Sequence, residues 1–418
     1  MEKRKLYGYL TIGAAFLAVF TLFGYRSSFS VLLEPMSDDM GWTIGETTAG
    51  YGLMMMVYGV AAYLSGEIVD RWGVRYAYAL GAIFGGLGFA LSSMVNSYIH
   101  YLASYAIFGG IGTGMCWVTS TASVRKWYPG AKYATYWGIA FLGAPVAQVL
   151  MSLGASEFIL RMGWRYAMRV LALVVFLVMV IATIISKREP ESYGIHISKQ
   201  RFREDAQKFW PTLTAFRTWS ALGITFAFFT AMMAEFTIWS QAVNYWEQSG
   251  GLSLRGATFL YILIGVFGLV TMPVMGRLQD KLVSISDSEA KGRKKILVIA
   301  PIVGIIACIL MIITSRALIA GVVASLSFAI YWACEPGGAA GYVGAVFGKR
   351  NMGHIWGFAT LWAMSLGPFF GTILGSRIYD VTGIYDHTIL FAMFFFFVSA
   401  LIAWTLPEEY LGEKDRSE

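Results

Sequence analysis

The 418-residue sequence has few charged residues and very little cysteine. Only 14% of the residues are Asp, Glu, Lys or Arg, whereas 57% are hydrophobic, and the mean hydropathy is +0.60. This balance excludes an ordinary soluble globular domain. The three cysteines are scattered through apolar segments and the four histidines show no metal-ligand spacing. The sequence therefore predicts neither a disulfide framework nor a metal site.

Two further absences narrow the function. No nucleotide-binding Gly-x-x-x-x-Gly-Lys-[Ser/Thr] motif occurs, and the apolar segments contain no nucleophile–base set. We therefore expect no nucleotide-driven pumping, no enzyme activity and no cofactor. The net charge of +7 comes from cations in alternate loops rather than from one basic patch. That distribution argues against a nucleic-acid partner.

What the chain has instead is a series of long apolar runs. A helix that spans a bilayer needs about 20 apolar residues. On that rule we predict an all-α membrane protein with twelve spans, and the N-terminal Lys3-Arg4-Lys5 precedes a run too long for a signal peptide. The predicted spans are 8–33, 46–69, 76–95, 98–123, 134–158, 164–186, 218–243, 256–279, 296–314, 317–346, 355–378 and 386–406.

The charge distribution predicts the direction of insertion. Most of the 32 Lys and Arg residues lie in the two termini and in alternate loops. Because positive residues resist translocation, we expect both termini in the cytoplasm, in a cell (inner) membrane. The bilayer is thus one partner of the chain, and we expect a monomer.

The chain also contains an internal repeat. Gly66-Glu-Ile-Val-Asp70-Arg71 after the second span recurs as Gly276-Arg-Leu-Gln-Asp280-Lys281 after the eighth. We interpret each glycine as a point of close helix approach and each acid–base pair as part of a gate. The repeat predicts an N-terminal six-helix bundle at 1–186, a cytoplasmic linker at 187–217 and a C-terminal bundle at 218–418. Within the linker, apolar residues around Phe202 and Phe209 favour a short amphipathic helix over a merely solvated connector.

Twelve spans with Gly66-x-x-x-Asp70-Arg71-x-Gly73-x-Arg75 between the second and third resemble the major facilitator superfamily. The resemblance covers essentially the whole chain. It implies two pseudo-symmetric six-helix bundles around a central cavity and rocker-switch alternating access. It also implies a gate on the cytoplasmic side, formed by Gly66, Asp70, Arg71, Arg75, Gly276, Asp280 and Lys281.

Shorter motifs resemble one group within the superfamily. Ser28-Phe-Ser-Val-Leu-Leu-Glu-Pro35 in the first span and Arg125-Lys-Trp-Tyr-Pro129 after the fourth are similar to the monocarboxylate porter and oxalate–formate antiporter group. That resemblance implies a small organic anion as solute. The sequence departs from it where those carriers have basic residues, because Met272 and Ala359 occupy the corresponding places in the eighth and eleventh spans. A dicarboxylate is therefore not expected.

Three ionisable residues fall well inside predicted spans, and each is a functional hypothesis because a charge at that depth is costly. Arg26 either binds the solute or extends its side chain to the membrane surface. Glu235 occupies nearly the repeat-related place in the seventh span. The resemblance to the superfamily implies that the first and seventh spans face each other across the cavity, so Glu235 either pairs statically with Arg26 or carries a proton. Glu335 precedes Pro336-Gly337-Gly338, so we predict a broken helix with a binding role, against the alternative of a packed kink.

The resulting function hypothesis is a secondary, proton-coupled transporter of a small organic anion such as a monocarboxylate. Glu235 and Glu335 are the candidates for proton coupling. A carrier or exporter of a cationic or zwitterionic solute is the alternative within transport, and a non-transporting sensor with a carrier fold is the alternative outside it. The candidate substrate-binding residues are polar or aromatic residues within spans: Arg26, Trp117, Ser120, Gln148, Gln241, Tyr331, Glu335 and Trp362.

Overall fold

The computed structural model describes residues 2–128, 133–188, 190–194, 210–314, 318–347 and 352–408, and within these ranges it is helical with no β-strand. The helices are α1 (Glu2–Met40), α2 (Ile44–Arg71), α3 (Val74–Ser92), α4 (Tyr98–Tyr101), a π-helical segment (Leu102–Phe108), α5 (Gly109–Trp127), α6 (Tyr133–Phe141), α7 (Gly143–Met162), α8 (Trp164–Ile185), α9 (Thr212–Ala215), α10 (Trp219–Gln248), α11 (Leu254–Ser284), α12 (Glu289–Ile313), α13 (Leu318–Phe347), α14 (Met352–Thr382) and α15 (Tyr385–Trp404). A 3₁₀ turn covers Pro190–Tyr193.

These helices match the predicted spans. Eleven helical stretches of the described residues are long and apolar enough to cross a membrane. The remaining predicted span, 46–69, corresponds to α2, which has 28 residues. Glycine, threonine and tyrosine lower its hydropathy but leave its length sufficient for a bilayer. The all-α multi-pass architecture is thus confirmed.

The chain forms two compact units. Unit 1 comprises Met1–Gln200, Trp239–Glu247 and Leu252–Gly265, and unit 2 comprises Arg201–Ile238, Gln248–Gly251 and Val266–Glu418. Unit 1 therefore contains the first six predicted spans together with the last part of α10 and the first part of α11. Two segments of the second sequence repeat, Trp239–Glu247 and Leu252–Gly265, thus pack with residues of the first repeat.

Glycine determines how closely the helices of unit 1 approach one another. A methyl group added at Gly112 of α5 would overlap the backbone of Gly85 in α3, and one added at Gly143 of α7 would overlap the Phe16 carbonyl of α1. Small residues permit such close helix–helix contacts in membranes. A methyl group added at Gly66 would be in ordinary contact with Val118 of α5 at 3.5 Å, and at Gly276 no described atom lies within 4 Å. The close approach predicted at these two glycines stays a prediction.

The far end of unit 1, where α1 ends, is held by polar contacts. Arg165 at the start of α8 donates to the Asp39 carboxylate at 3.1 Å and to the Val95 carbonyl at 2.6 Å. The Trp164 indole donates to the same carboxylate at 3.1 Å. One arginine therefore joins the ends of α1 and α3 to the start of α8.

Helix α1 extends seven residues beyond its predicted end at 33. It continues through Pro35 to Met40 and stops at Gly41, whose φ is +64°. The Trp42 N–H bonds to the Ser37 carbonyl at 3.0 Å, which is the six-to-one bond of a Schellman ending. The glycine, rather than the proline or the acidic residues before it, ends the helix.

Prolines act differently in two predicted helices. The predicted fifth span is divided at Leu142, three residues before Pro145, so α6 and α7 are separate. The predicted break at Pro336 is wrong, because α13 is continuous from Leu318 to Phe347. Side chains of α11 compensate there: Thr271 donates to the Ala329 carbonyl at 3.2 Å and Gln279 to the Ala333 carbonyl at 3.2 Å. Neighbouring side chains of this kind allow proline within a membrane helix.

In unit 2, α14 packs closely on α10. A methyl group at Gly367 would lie 2.8 Å from Met232 Cβ, and one at Gly371 would overlap the Met233 carbonyl oxygen. The Thr237 hydroxyl donates to the Gly371 carbonyl at 2.7 Å. Gly367 and Gly371 therefore allow α14 to approach α10 closely.

The linker is described only at its ends. Trp127 donates from its indole to the Arg188 carbonyl at 2.8 Å, and its ring contacts Tyr193. At the other end, Trp210 packs edge-on against Phe347. Most of the predicted amphipathic helix, including Phe202 and Phe209, lies outside the described residues.

We expect Gly371→Ala to lower the free energy of unfolding by roughly 1–3 kcal/mol, because the added methyl group overlaps backbone that has no room to move. Thermal unfolding of the purified protein in detergent measures this. Gly357→Ala on the same helix is the matched control, since no described atom lies within 4 Å of its added methyl group. Equal melting temperatures for the two variants would contradict the close α10–α14 contact.

Candidate functional site

Arg26 is buried in the middle of α1, with 2% of its surface exposed. Its guanidinium carbon lies 4.4 Å from the ring centroid of Tyr58 and 5.3 Å from that of Phe23. Both distances are within the range of cation–π attraction. The side chain therefore stays inside the helix bundle of unit 1 and does not extend to the membrane surface.

Aromatic side chains continue from this arginine. Trp117 on α5 contacts Phe23, Trp137 and Phe141 in edge-to-face geometry, with centroid distances of 6.4, 5.5 and 5.8 Å. Trp117 thus belongs to a packed aromatic cluster beside Arg26.

Ser120, three residues beyond Trp117, lies in a different environment. Its hydroxyl bonds to the Cys116 carbonyl at 2.7 Å and lies 3.0 Å from the Tyr78 hydroxyl. The hydrogen-bonding capacity of Ser120 is therefore used within the helix bundle.

Gln148 connects α7 to α11 inside unit 1. Its Nε2 donates to the Tyr261 carbonyl at 3.0 Å, and Tyr261 donates from its hydroxyl to the Trp239 carbonyl at 3.1 Å. Among the described residues Gln148 Oε1 has no hydrogen-bond partner although the side chain is fully buried. Such a group needs a water molecule or a ligand as its donor.

Gln241 on α10 shows the same property more strongly. The side chain is 1% exposed, and neither its Oε1 nor its Nε2 has a hydrogen-bond partner in the part of the chain that the structure describes. A buried amide whose oxygen and nitrogen both lack hydrogen-bond partners is energetically costly unless a bound molecule supplies those partners.

Unit 2 brings Glu235 and Tyr331 together. The Tyr331 hydroxyl donates to Glu235 Oε2 at 3.1 Å, joining α13 to α10. Glu335 lies one turn further along α13 and is fully buried. Neither of its carboxyl oxygens has a hydrogen-bond partner among the described residues. Burial without partners disfavours the charged form of a carboxyl group.

Trp362 on α14 is 48% exposed and contacts Phe358 edge-on. It is the least enclosed of the candidate binding residues. Arg26 and Glu235 belong to different units, and their pairing stays a prediction.

An apolar cavity of about 310 Å³ lies elsewhere, between α12 and α15. Ile305, Leu390, Met393, Phe394 and Phe397 line it. None of these side chains is polar, so the cavity is unsuited to a charged solute. Within the described ranges no cluster of three or more His, Cys, Asp or Glu residues is arranged to hold a metal ion.

Comparison with known proteins establishes the family. Residues 15–364 match the sequence profile of the Major Facilitator Superfamily. The chain belongs to this superfamily. Its members are transporters. The candidate residues of unit 1 and those of unit 2 therefore lie in a carrier fold.

Sequence relatives within the superfamily are distant. The riboflavin transporter MCH5 of Saccharomyces cerevisiae is 24% identical over 64% of this chain and 53% of its own length. A probable L-galactonate transporter of Escherichia coli is 23% identical over 64% of this chain and 61% of its own. A probable hexose phosphate transport protein of Chlamydia trachomatis is 24% identical over 46% and 42%. The matched segments thus span less than two thirds of each relative.

Solved structures resemble this chain over nearly all of its length. A D-xylose–proton symporter superposes with a TM-score of 0.72 at 16% identity, covering 95% of this chain and 98% of that one. A bacterial homologue of the human lysosomal transporter Spinster has a TM-score of 0.68 at 14% identity, covering 96% and 97%. At such identities these likenesses show the fold and not the solute.

The loop between α2 and α3 carries the superfamily motif, and part of its geometry is described. Gly73 has a φ of +100°, which favours glycine, and Arg75 donates to the Ser186 carbonyl at 3.3 Å and the Ile184 carbonyl at 3.5 Å. Arg75 therefore caps the end of α8. The side chains of Asp70 and Asp280 lie outside the described part of the structure, so the gating role stays a prediction.

Sequence reasoning did not identify the partners of the candidate residues. Tyr58 and Tyr261 are contributed by helices remote in sequence from Arg26 and Gln148, and no motif indicates them. The π-helical segment Leu102–Phe108 was also missed. Its Tyr105 joins a buried group of aromatic rings that includes Tyr25 and Phe29. π-Helical segments are often found at functional sites, although their amino-acid composition does not distinguish them.

We expect Tyr331→Phe and Glu235→Gln to be coupled, because the tyrosine donates directly to this carboxylate. A double-mutant cycle of thermal unfolding should give an interaction of about 0.5–1.5 kcal/mol. Tyr342→Phe is the matched control on the same helix, because its hydroxyl bonds instead to the Pro407 carbonyl. Additive effects of the first pair would show that the hydrogen bond contributes nothing.

Proposed function

We propose that this protein is a secondary active transporter that moves a small organic anion of the monocarboxylate type, coupled to protons, by alternating access. The observation that carries the proposal is Arg26. It is a permanently charged side chain, buried in a membrane-spanning helix beside the rings of Phe23 and Tyr58. A charge kept at that depth is costly unless it serves the solute or ion path.

An anion suits this arginine chemically. The planar guanidinium matches the geometry of a carboxylate and can donate two parallel hydrogen bonds to it. Arg26 is 2% exposed beside the Phe23 and Tyr58 rings, and in surroundings of such low polarity a charge-assisted hydrogen bond is stronger than it is in water. The relative described as a probable L-galactonate transporter is named for a carboxylate, which supports an organic anion.

The proton would be carried by the acidic residues of unit 2. Glu335 is buried without a partner among the described residues, and Glu235 accepts a hydrogen bond from Tyr331. A carboxyl group in such surroundings changes its protonation when solvent or an opposite charge approaches. We assign proton coupling to this pair, and both termini to the cytoplasmic side of a cell (inner) membrane.

One observation favours a second candidate, a cationic or zwitterionic solute. Unit 2 brings two carboxyl side chains, Glu235 and Glu335, close to Tyr331, and aromatic and acidic groups together suit an organic cation. In that case a quaternary ammonium compound binds to the wild type and not to Glu335→Gln.

The main proposal is tested by uptake of radiolabelled lactate, acetate and pyruvate into proteoliposomes, with and without a pH gradient. We expect accumulation driven by the gradient. Arg26→Gln should reduce uptake by about tenfold or more, because a charge-assisted hydrogen bond to the solute is lost. Glu235→Gln or Glu335→Gln should abolish gradient-driven accumulation and keep counterflow, which needs no net proton movement.

Arg161→Gln is the matched control for the arginine, since Arg161 is an exposed cation on α7. Its uptake should equal that of the wild type. Failure of every short carboxylate to move would refute the solute class. Accumulation that persists in both glutamine variants would refute their role in proton coupling.

For the gate, we expect Asp70→Asn to slow turnover several-fold with little change in the solute concentration at half-maximal rate. The reason is that an ion pair at a helix end controls the conformational change and not the binding site. Initial rates in proteoliposomes measure both quantities. Asp287→Asn, an exposed acid that pairs with Lys291, is the control. Wild-type turnover in Asp70→Asn would remove the gate assignment.

A further inference from the structure

Helices α12 and α15 of unit 2 each carry a row of large, exposed apolar side chains. The α12 row is spaced alternately by four and three residues, and its members are 40–51% exposed: Ile299, Ile302, Ile306, Ile309 and Ile313. The α15 row has the same spacing and is 42–68% exposed: Leu390, Phe394, Phe397, Leu401 and Trp404. Exposed apolar rows on membrane-spanning helices face the acyl chains of the bilayer.

The apolar cavity between α12 and α15 borders these rows. We call it the α12–α15 groove, and its side chains are Ile305, Leu390, Met393, Phe394 and Phe397. Three of the five belong to the exposed row of α15, so the cavity of about 310 Å³ is a depression in the lipid-facing surface. The helices themselves are in close contact, because a methyl group added at Gly304 would lie 2.9 Å from the Phe396 ring.

The start of α12 is strongly basic and lies beside the end of α15. Four of the five residues at 291–295 are cations. Lys294 pairs with Glu408, four residues beyond the end of α15, at 3.1 Å. The Ser288 hydroxyl also donates to the Glu408 carbonyl, at 3.4 Å. Both exposed rows therefore reach the same side of the membrane at these ends.

Lys295 differs from the other cations of this cluster. Lys291, Arg293 and Lys294 each pair with a carboxylate. Lys295 is exposed, its Nζ lies 3.4 Å from the Ser286 hydroxyl, and no carboxylate of the described residues pairs with it. It precedes Ile299 by one helical turn, so the ammonium group stands at the end of the α12 row.

The distances along the helices match those of a phospholipid. From Lys295 to Ile305 the helix rises roughly 15 Å, which is about half of the 30 Å hydrocarbon core. On α15, Trp404 is 68% exposed and precedes the groove by a similar geometry, since Phe397 lies roughly 10 Å away along the helix. Tryptophan is typical of the headgroup level. A headgroup beside Lys295 thus places the end of its acyl chain at the groove.

The shape of this face argues against a second copy of the chain as its occupant. Helices that associate within a membrane meet through small residues, which let the backbones approach. Every exposed member of the two rows is instead Ile, Leu, Phe or Trp. A flexible acyl chain fills a depression between such side chains, whereas a rigid helix does not enter it.

We propose that the α12–α15 groove binds one acyl chain of an anionic phospholipid whose phosphate pairs with Lys295. The phosphate supplies the carboxylate-like partner that this cation lacks, and the ammonium donates charge-assisted hydrogen bonds to it. The neighbouring cations favour a lipid of net negative charge over a zwitterionic one, because the latter brings its own cation to the cluster. The proposal goes beyond the proposed function and does not depend on the solute.

The site is tested by photolabelling in detergent. Phosphatidylglycerol with a diazirine at the end of one acyl chain should label peptides that contain Ile305 and Leu390–Phe397. Unlabelled phosphatidylglycerol should compete about fivefold better than phosphatidylcholine with the same chains, which is the factor expected of one lysine near an anionic headgroup. Labelling spread evenly over exposed helix faces would overturn the groove, and equal competition by the two lipids would overturn the headgroup assignment.

Variants separate the chain from the headgroup. Ile305→Trp fills the groove and should reduce its labelling by roughly tenfold or more, because the buried apolar contact is lost. Ile313→Trp is the matched control, since Ile313 is 40% exposed on the same helix and does not line the groove. Lys295→Gln should remove the preference for phosphatidylglycerol, whereas Arg161→Gln on α7 should retain it. Wild-type labelling in Ile305→Trp would overturn the groove.

A folding defect and a second copy are distinguished by two further measurements. Thermal unfolding without added lipid shows whether Ile305→Trp is folded, and Leu390→Trp fills the groove from α15 as a second variant. Both should melt like the wild type and lose the stabilisation that phosphatidylglycerol gives. The oligomeric state in phosphatidylglycerol nanodiscs should be the same for the wild type and both variants. A wild-type dimer that Ile305→Trp or Leu390→Trp dissociates would assign this face to a second copy and overturn the lipid site.

Discussion

The structure depends on one constraint: inside a bilayer, each polar group must find its partner within the protein. The backbone meets this constraint by being helical, and the side chains meet it by bonding locally. The hydroxyls of Thr113, Ser325 and Thr372 each donate to the carbonyl four residues earlier, at 2.8, 3.0 and 2.8 Å. Among the described residues, the buried polar atoms without a hydrogen-bond partner include both carboxyl oxygens of Glu335, both amide atoms of Gln241 and Oε1 of Gln148, which all belong to the candidate site.

The same constraint explains which parts of the fold were predictable. Span positions follow from hydropathy alone, because a membrane helix must be both long and apolar. The ends and breaks of helices do not follow from hydropathy, since they depend on hydrogen-bond partners contributed by other helices. Pro336 leaves α13 continuous because Thr271 and Gln279 of α11 donate to its carbonyls. The predicted fifth span, by contrast, is divided three residues before Pro145, which lacks a backbone donor.

The candidate site was predictable to a similar depth. Arg26, Glu235 and Glu335 were identified because an ionisable residue within an apolar run is conspicuous whatever surrounds it. A tyrosine in a helix is not unusual, so only the structure shows that Tyr58 lies beside Arg26 and Tyr331 beside Glu235. Tyr331 was selected from the sequence as an aromatic residue within a span, and the structure shows it as a hydrogen-bond donor to Glu235.

The contacts between helices are of two kinds, close packing of backbones at glycines and hydrogen bonds between polar side chains. Backbone meets backbone at the glycines of α3 and α5 and at Gly371 of α14, where separation would leave closely fitted surfaces without neighbours. Along α7 and α11 the contacts are mixed: an exposed ion pair between Glu157 and Arg255 at one end, and buried hydroxyl and amide contacts with a close approach at Gly265 further along. Gln148 lies at the buried end of these contacts: its Nε2 holds the Tyr261 carbonyl, while its Oε1 has no partner among the described residues, so the side chain that joins the two helices can also accept a hydrogen bond from a bound molecule.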